Sequence, residues 1–258
     1  MATEKVVTMA KQNLTFLLNK NLDFPVTEEP WTSLLSEAGM NAEVTTDIPE
    51  MNRLLEVGSP NMAYVPGAGF CVMMRKGNPH YRGLVIATSK FSGQPAQRTL
   101  LVVRHDDQAN NLDDLEGSTY GYLNRSCSSS FFPPAIMLNE KGKKLETFFE
   151  LKQVAGWQDR VDAVVAKSIR ATMILEDVWK MMPANVQVTK VIGEYDTCVP
   201  AVLIVRKDLS PEVATTFREH LLSYMPDWNN VYGAFRPFYF ADIQTFYHQI
   251  CQLPEDEV

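Results

Sequence analysis

The sequence predicts an α/β fold, mainly parallel sheets with helices on both faces, arranged as two lobes. Strand-like and helix-like segments alternate in βαβαβ order near the amino terminus, and the alternation restarts after residue 105. The chain has 258 residues, 45% hydrophobic and 21% charged, enough to bury a substantial core in one large domain or two lobes.

Each element has a local reason. Lys5 to Ala10 reads as the first strand. After a polar loop, Pro30 to Ala38 reads as a helix, with proline in its first turn and Gly39 at its end. Asn41 to Thr45 alternates as a second strand. Asp47 then supplies an N-cap with Glu50 three residues on, and Ile48, Met51, Leu54 and Leu55 share one apolar face before Gly58. Asn61 to Val65 is a third strand.

The second run follows the strand-like Thr99 to Val103 and the polar stretch His105 to Asp114. Tyr120 to Leu123 is a short strand leading through a hydroxyl-rich turn into a helix that contains Ala135 to Leu138. Phe148 to Val154 is another strand. A helix follows from Gln158 to Ala166 with Val161, Val164 and Val165 on one face, then a strand from Ala171 to Leu175. Val186 to Ile192 leads to the strand Ala201 to Val205. Ser210-Pro-Glu212 opens a helix carrying Val213, Phe217, Leu221 and Tyr224 at helical period. The aromatic stretch from Tyr224 to Phe240 reads as a cover packed on the first lobe, and the acidic tail Glu255 to Glu257 as disordered.

Loops at the carboxyl ends of parallel strands are where open α/β sheets bind ligands. Here they are Lys11 to Asn13, Pro66 to Gly69 and the turn Asn124 to Ser130. That turn holds four serines in the five positions 126–130. A helix start offers unpaired N–H groups and a positive dipole end, so clustered serines there can hold an anion without a cation. N-capping alone is the competing reading, since serine is a favoured cap. Gly67-Ala-Gly69 reads as a tight turn that could also nest an anion, and it lacks the third glycine of a dinucleotide fingerprint.

Composition limits the partners. A net charge of −7 disfavours nucleic acid and anionic membrane surfaces. No apolar run approaches the roughly 20 residues of a membrane span. The first ten residues lack a basic start and a long apolar core, so either a leader has been removed and the protein is periplasmic or otherwise extracytoplasmic, or it stays in the cytoplasm. Cys71, Cys127, Cys198 and Cys251 show no metal-ligand or redox spacing, and no cofactor or metal is expected. Cys127, at a helix start, is the one thiol placed for activation, but no histidine is its sequence neighbour.

Leu115-Glu-Gly117, Ser126-Cys-Ser-Ser129 and Pro133 together resemble the Leu-x-Gly, Ser-Thr-Ser-Gly, Pro pattern of phosphate- and phosphonate-binding components of ABC importers. Gly58 to Val65, Val102-Val-Arg104, Gly156, Ala163-Val164 and Pro200 to Arg206 with Asp208-Leu209 follow the family's order, so the resemblance covers nearly the whole chain. It implies the type 2 periplasmic-binding-protein fold. One lobe would combine residues 1–104 with 200–258, and residues 105–199 would form the other, with a ligand cleft between them. It further implies a non-catalytic carrier of a small oxyanion, working with an importer's membrane component. Ligand contacts are expected from Asn13, Tyr64, Gly67, Ser126, Cys127, Ser128, Ser129, Gln158 and Arg170.

The chain departs from the family pattern at three places. Gln158 stands where a histidine is common, and it can donate hydrogen bonds but cannot become a cation. Arg170 replaces an acidic residue and reads either as an oxyanion clamp or as a solvated helix end. Near Gln97 a tyrosine is missing. Two alternatives therefore stand beside the carrier: an intracellular enzyme or sensor on the same fold, and an interaction module that has lost its ligand.

Overall fold

The computed structural model describes residues 14–19, 33, 35, 36, 41–45, 48–199, 201–225 and 232–257. The expected strand at 5–10, Asp47, and all but three residues of the expected helix at 30–38 lie outside them. The chain folds as two sheets. The first has six strands in the order β11-β4-β10-β3-β1-β2: β1 (Thr15–Asn19), β2 (Asn41–Thr45), β3 (Met62–Pro66), β4 (Tyr81–Ser89), β10 (Ala201–Arg206) and β11 (Tyr232–Pro237). The second has five in the order β7-β6-β8-β5-β9: β5 (Gln97–Arg104), β6 (Thr119–Tyr122), β7 (Glu150–Gln153), β8 (Ala171–Leu175) and β9 (Thr189–Cys198).

Each sheet mixes parallel and antiparallel pairs. Strands β2, β1 and β3 pair in parallel, as do β7, β6 and β8; β4 and β9 run the same way as these, and β10, β11 and β5 run against them. The chain passes between the sheets through the short segment 90–96 and again just after Cys198, and the strands that follow, β5 and β10, each lie antiparallel to both of their neighbours. Strand β5, which the expected boundary at residue 104 puts with the first lobe, lies in the second sheet, between β8 and β9.

Strand β1 occupies a stretch expected to be polar loop. Phe16, Leu17 and Leu18 are buried, and the strand is central, with β2 and β3 on its two sides. Helix α1 (Ile48–Glu56) turns Met51 and Leu55 into the core and leaves Asn52 and Arg53 outside, where Arg53 pairs with Glu50 at 2.7 Å. Helix α2 (Gly67–Arg75) starts at the residue after β3, because Pro66 as its N-cap has φ fixed at −54°. In the second lobe, α3 (Phe132–Asn139), α4 (Leu145–Phe148), α5 (Trp157–Val165), α6 (Glu176–Met181) and α7 (Pro183–Val188) connect the strands.

After α8 (Pro211–Ser223), β11 forms the edge of the first sheet, with Phe235 set edge-on to Tyr64 at 6.2 Å. Phe238 meets Phe70 in the same way at 5.4 Å, so the aromatic cover over the first lobe is present. Helix α9 (Gln244–Gln252) docks on α2, where Arg75 Nη1 donates to the Ile250 carbonyl at 2.9 Å. The acidic tail is ordered, contrary to the expectation. Glu255–Glu257 form a 3₁₀ turn, and Lys144 holds Asp256 at 2.8 Å.

Candidate functional site

Two strand-to-helix passages meet between the sheets. In one, β3 ends at Pro66 and α2 begins at Gly67; in the other, β6 ends at Tyr122 and a serine turn leads to α3. Both lie at carboxyl ends of strands with parallel neighbours, the place where α/β sheets bind ligands. The Ala68 N–H donates to Ser128 Oγ at 2.8 Å, joining the two. Cys198, the last residue of β9, donates its thiol to the Ser128 carbonyl at 3.1 Å. A Cβ on Gly67 would stand 2.1 Å from the Val199 carbonyl oxygen, so only glycine lets the helix start press against the crossing segment.

The serines do not cap α3 with their side chains. Its cap residue is Phe131, and the N–H groups of Phe131 and Phe132 both go to the Cys127 carbonyl, at 3.2 and 3.3 Å. Ser130 is structural: its Oγ accepts from Leu123 N at 3.1 Å and its carbonyl from the Tyr120 hydroxyl at 2.8 Å. Asn124 Oδ1 takes the Ser126 N–H at 2.9 Å, and Cys127 Sγ lies 3.4 Å from Ser129 Oγ. That leaves the backbone N–H groups of Ser128, Ser129 and Ser130 with no acceptor among the described residues, although all three residues are buried. Buried N–H groups are almost always paired, and three in succession ahead of a helix form a concavity suited to an anion.

Gln97 opens β5 at the first crossing, in register with Cys198. It is buried, and neither its amide nitrogen nor its amide oxygen has a hydrogen-bond partner. Such a group costs free energy unless something pairs it. Burial pushes the Cys198 thiol well above the ordinary range, aided by the nearby Cys127 and Cys71, so Cys198 stays protonated and donates. Among the described residues no group of His, Cys, Asp and Glu is placed to hold a metal ion.

The other expected contacts fall in different places. Asn13 lies outside the described residues. Tyr64 is fully buried in β3. Gln158 is exposed on the first turn of α5, next to Gly156, whose φ of 67° favours glycine. Its Nε2 donates to Asp162 Oδ1 at 2.7 Å and to Asn185 Oδ1 at 3.4 Å, and no hydrogen bond among the described residues joins it to the serine turn. Arg170, expected as an oxyanion clamp or a solvated helix end, sits at the amino end of β8 and is held by protein partners: Nε and Nη2 grip Asp107 at 3.0 and 2.9 Å, and Nη1 reaches Ser118 Oγ at 3.0 Å and the Asp114 carbonyl at 3.2 Å.

A cavity of about 550 Å³ adjoins the turn, between α1, α2 and the start of α3, lined among others by Asn52, Leu55, Val72, Met73, Lys76, Arg125, Ser126 and Phe132. A narrow extension shares Asn52, Leu55, Gly69, Met73 and Ser126 with it and reaches Val65 and Pro66 at the end of β3. Sequence reasoning singled out the serine turn and Gly67, which the fold brings together. It did not single out Ala68, Cys198 or the Gln97 amide beside them, nor the cavity, for which no local motif exists.

The family model for the ABC transporter phosphonate periplasmic substrate-binding protein matches residues 32–242. No curated protein matches the sequence of this chain. Among solved structures, XAC2383 from Xanthomonas citri bound to chloride ion is similar at a TM-score of 0.74 and 16% identity, covering 96% of this chain and 100% of that one. A binding-protein component of an ABC phosphonate transporter from Pseudomonas aeruginosa is similar at a TM-score of 0.69 and 15% identity, covering 92% and 84%. PhnD1 from Prochlorococcus marinus in complex with methylphosphonate is similar at 0.71 and 11%, covering 93% and 97%. At these identities the likeness to solved structures is one of fold.

Proposed function

The chain belongs to the family of ABC-transporter phosphonate periplasmic substrate-binding proteins, and on that premise we propose that it captures a phosphate- or phosphonate-type oxyanion between its two sheets, without catalysis. The observation that carries this reading is the convergence on Ser128: a helix start from one sheet is bonded to a turn of the other whose three successive N–H groups have no acceptor among the described residues. A dianion desolvated there would gain several directed hydrogen bonds, each strengthened by its charge. The Gln97 amide, buried and unpartnered beside Cys198, is a further donor. One relative of the same fold is described with methylphosphonate bound, which agrees in ligand class.

The lobes are then the two sheets, residues 97–199 forming one and the described residues before and after them the other, hinged at the short crossing 90–96 and at Val199. The place of work is extracytoplasmic, and the partner is the membrane component of an importer. Among the described residues no helix is long and apolar enough to cross a membrane. Cys127 Sγ lies against the Ser129 hydroxyl at 3.4 Å, and among the described residues no histidine is hydrogen-bonded to it as a base would be. A thermal-shift screen of phosphate, phosphite, alkylphosphonates, sulfonates and carboxylates tests the reading, since a ligand bound only by the native state raises the midpoint. A rise with phosphate or an alkylphosphonate, followed by calorimetric 1:1 binding, is expected; no shift with any anion would favour the interaction-module alternative.

A further inference from the structure

The 550 Å³ cavity exceeds what a bare oxyanion needs. It falls within the range of roughly 300–1,000 Å³ that takes drug-sized organic ligands. Its chemistry is graded. Leu55 and Phe132 are buried and form an apolar floor, with Val72 and Met73 half-buried beside them. Asn52, Lys76 and Glu56 are exposed and form a polar rim. The end nearest the anion site carries Ser126 and Arg125, so the cavity opens beside the serine turn rather than at a remote face. Its narrow extension to Val65, Pro66 and Gly69 touches the end of β3 and the first turn of α2, which are the other wall of the same site.

We propose that the ligand is an organophosphate or organophosphonate with a ring-sized organic body, whose anionic head lies at the serine turn and whose body lies along the groove between α1 and α2. This rests on the oxyanion-binding reading above and adds the ligand's size and polarity. The apolar floor takes one face of the body, and the Asn52 carboxamide and Lys76 ammonium meet polar groups at its edge. A methyl substituent would leave most of that floor in contact with water, so affinity rises with the apolar area of the substituent.

Calorimetry with methyl phosphate and 1-naphthyl phosphate, which share one head group, tests the assignment on the wild type and on Val72→Trp. Val72 lines the cavity one helical turn beyond Gly69 and does not line the narrow extension. The expected result is that 1-naphthyl phosphate binds the wild type at least tenfold more tightly than methyl phosphate. Val72→Trp then removes that advantage while methyl phosphate binds as before, which also shows that the variant is folded. Equal affinity for the two esters, or an advantage that survives Val72→Trp, overturns the groove assignment and leaves the oxyanion reading standing. Binding of neither ester overturns both.

Discussion

The N–H of Ala68 in one sheet's helix start donates to the hydroxyl of Ser128 in the other sheet's turn, 60 residues away, at 2.8 Å and out of contact with solvent. The two passages proposed to share an anion are joined by this bond, so one serine hydroxyl ties the two sheets together. Ser128→Ala leaves the Ala68 donor buried without a partner, at a cost of about 1–3 kcal/mol. Denaturant unfolding is expected to show that loss with an unchanged m-value. Ser126 lines the cavity, and its hydroxyl has no such structural bond among the described residues. Ser126→Ala is therefore expected to leave stability alone and to weaken phosphate binding, and equal stability losses in the two variants would contradict this division.

Two glycines of one turn should respond oppositely. Gly67→Ala puts a methyl group 2.1 Å from the Val199 carbonyl, and backbone atoms on both sides have to move, at a cost of about 1–3 kcal/mol or more. At Gly69 the nearest atom is Pro66 Cδ at 3.9 Å, an ordinary contact. Gly69→Ala is expected to stabilise by up to about 1 kcal/mol through helix propensity. Thermal unfolding of both single variants checks the pair, and a neutral Gly67→Ala would mean that the crossing segment is not held against α2.

Much of the second lobe was legible because its signals are local. The Ser126 to Ser130 cluster, the helix run with Val161 and Val164, and the apolar strand Ala171 to Leu175 all occur where their residues place them. What failed depended on partners distant in the chain. Thr15–Asn19 is a central strand only because β2 and β3 flank it. Arg170 looks like a ligand clamp until Asp107, 63 residues away, is seen to hold it. Likewise Ala68 offers only a backbone N–H, which no residue type announces.

The Arg170 assignment has a pH signature. Its hydrogen bonds hold the Asp107 carboxyl below the ordinary carboxylate range, so the pair's contribution is present above an ordinary aspartate pKa of about 3.9 and fades as pH falls through the lower folded value. Because the guanidinium is partly exposed, Arg170→Gln is expected to cost only about 1–2 kcal/mol at neutral pH. The difference from wild type should shrink below about pH 4. Phosphate affinity should stay unchanged, and a large drop in affinity with intact stability would restore Arg170 to the site.

Thiol labelling separates a packed Cys127 from a reactive one. Cys71, Cys127 and Cys198 are buried, burial raises the thiols of Cys71 and Cys198, and Cys251 alone among the four is half-buried. A thiol needs both exposure and thiolate character to react. The native protein is expected to label at Cys251 first, with the other three released only on unfolding. Rapid modification at Cys127 that blocks phosphate binding would instead support the enzyme alternative.

Gln97 offers the sharpest test of where the ligand sits. Its amide is buried with both polar atoms unpartnered, directly across the strand pair from Cys198, which itself bonds the Ser128 carbonyl. If that amide exists to meet the anion, it lowers stability in the unliganded protein and raises affinity in the liganded one. Replacing it by an apolar side chain of similar size removes a desolvation penalty, so Gln97→Leu is expected to stabilise the protein by about 1 kcal/mol or more. The same change should weaken binding of phosphate by about 1–3 kcal/mol, the cost of leaving a charged partner short of a hydrogen bond. Opposite signs in unfolding and calorimetry are the signature. A variant that gains stability and binds phosphate unchanged would place the ligand away from the crossing strands, and one that loses both would show that Gln97 holds the fold instead.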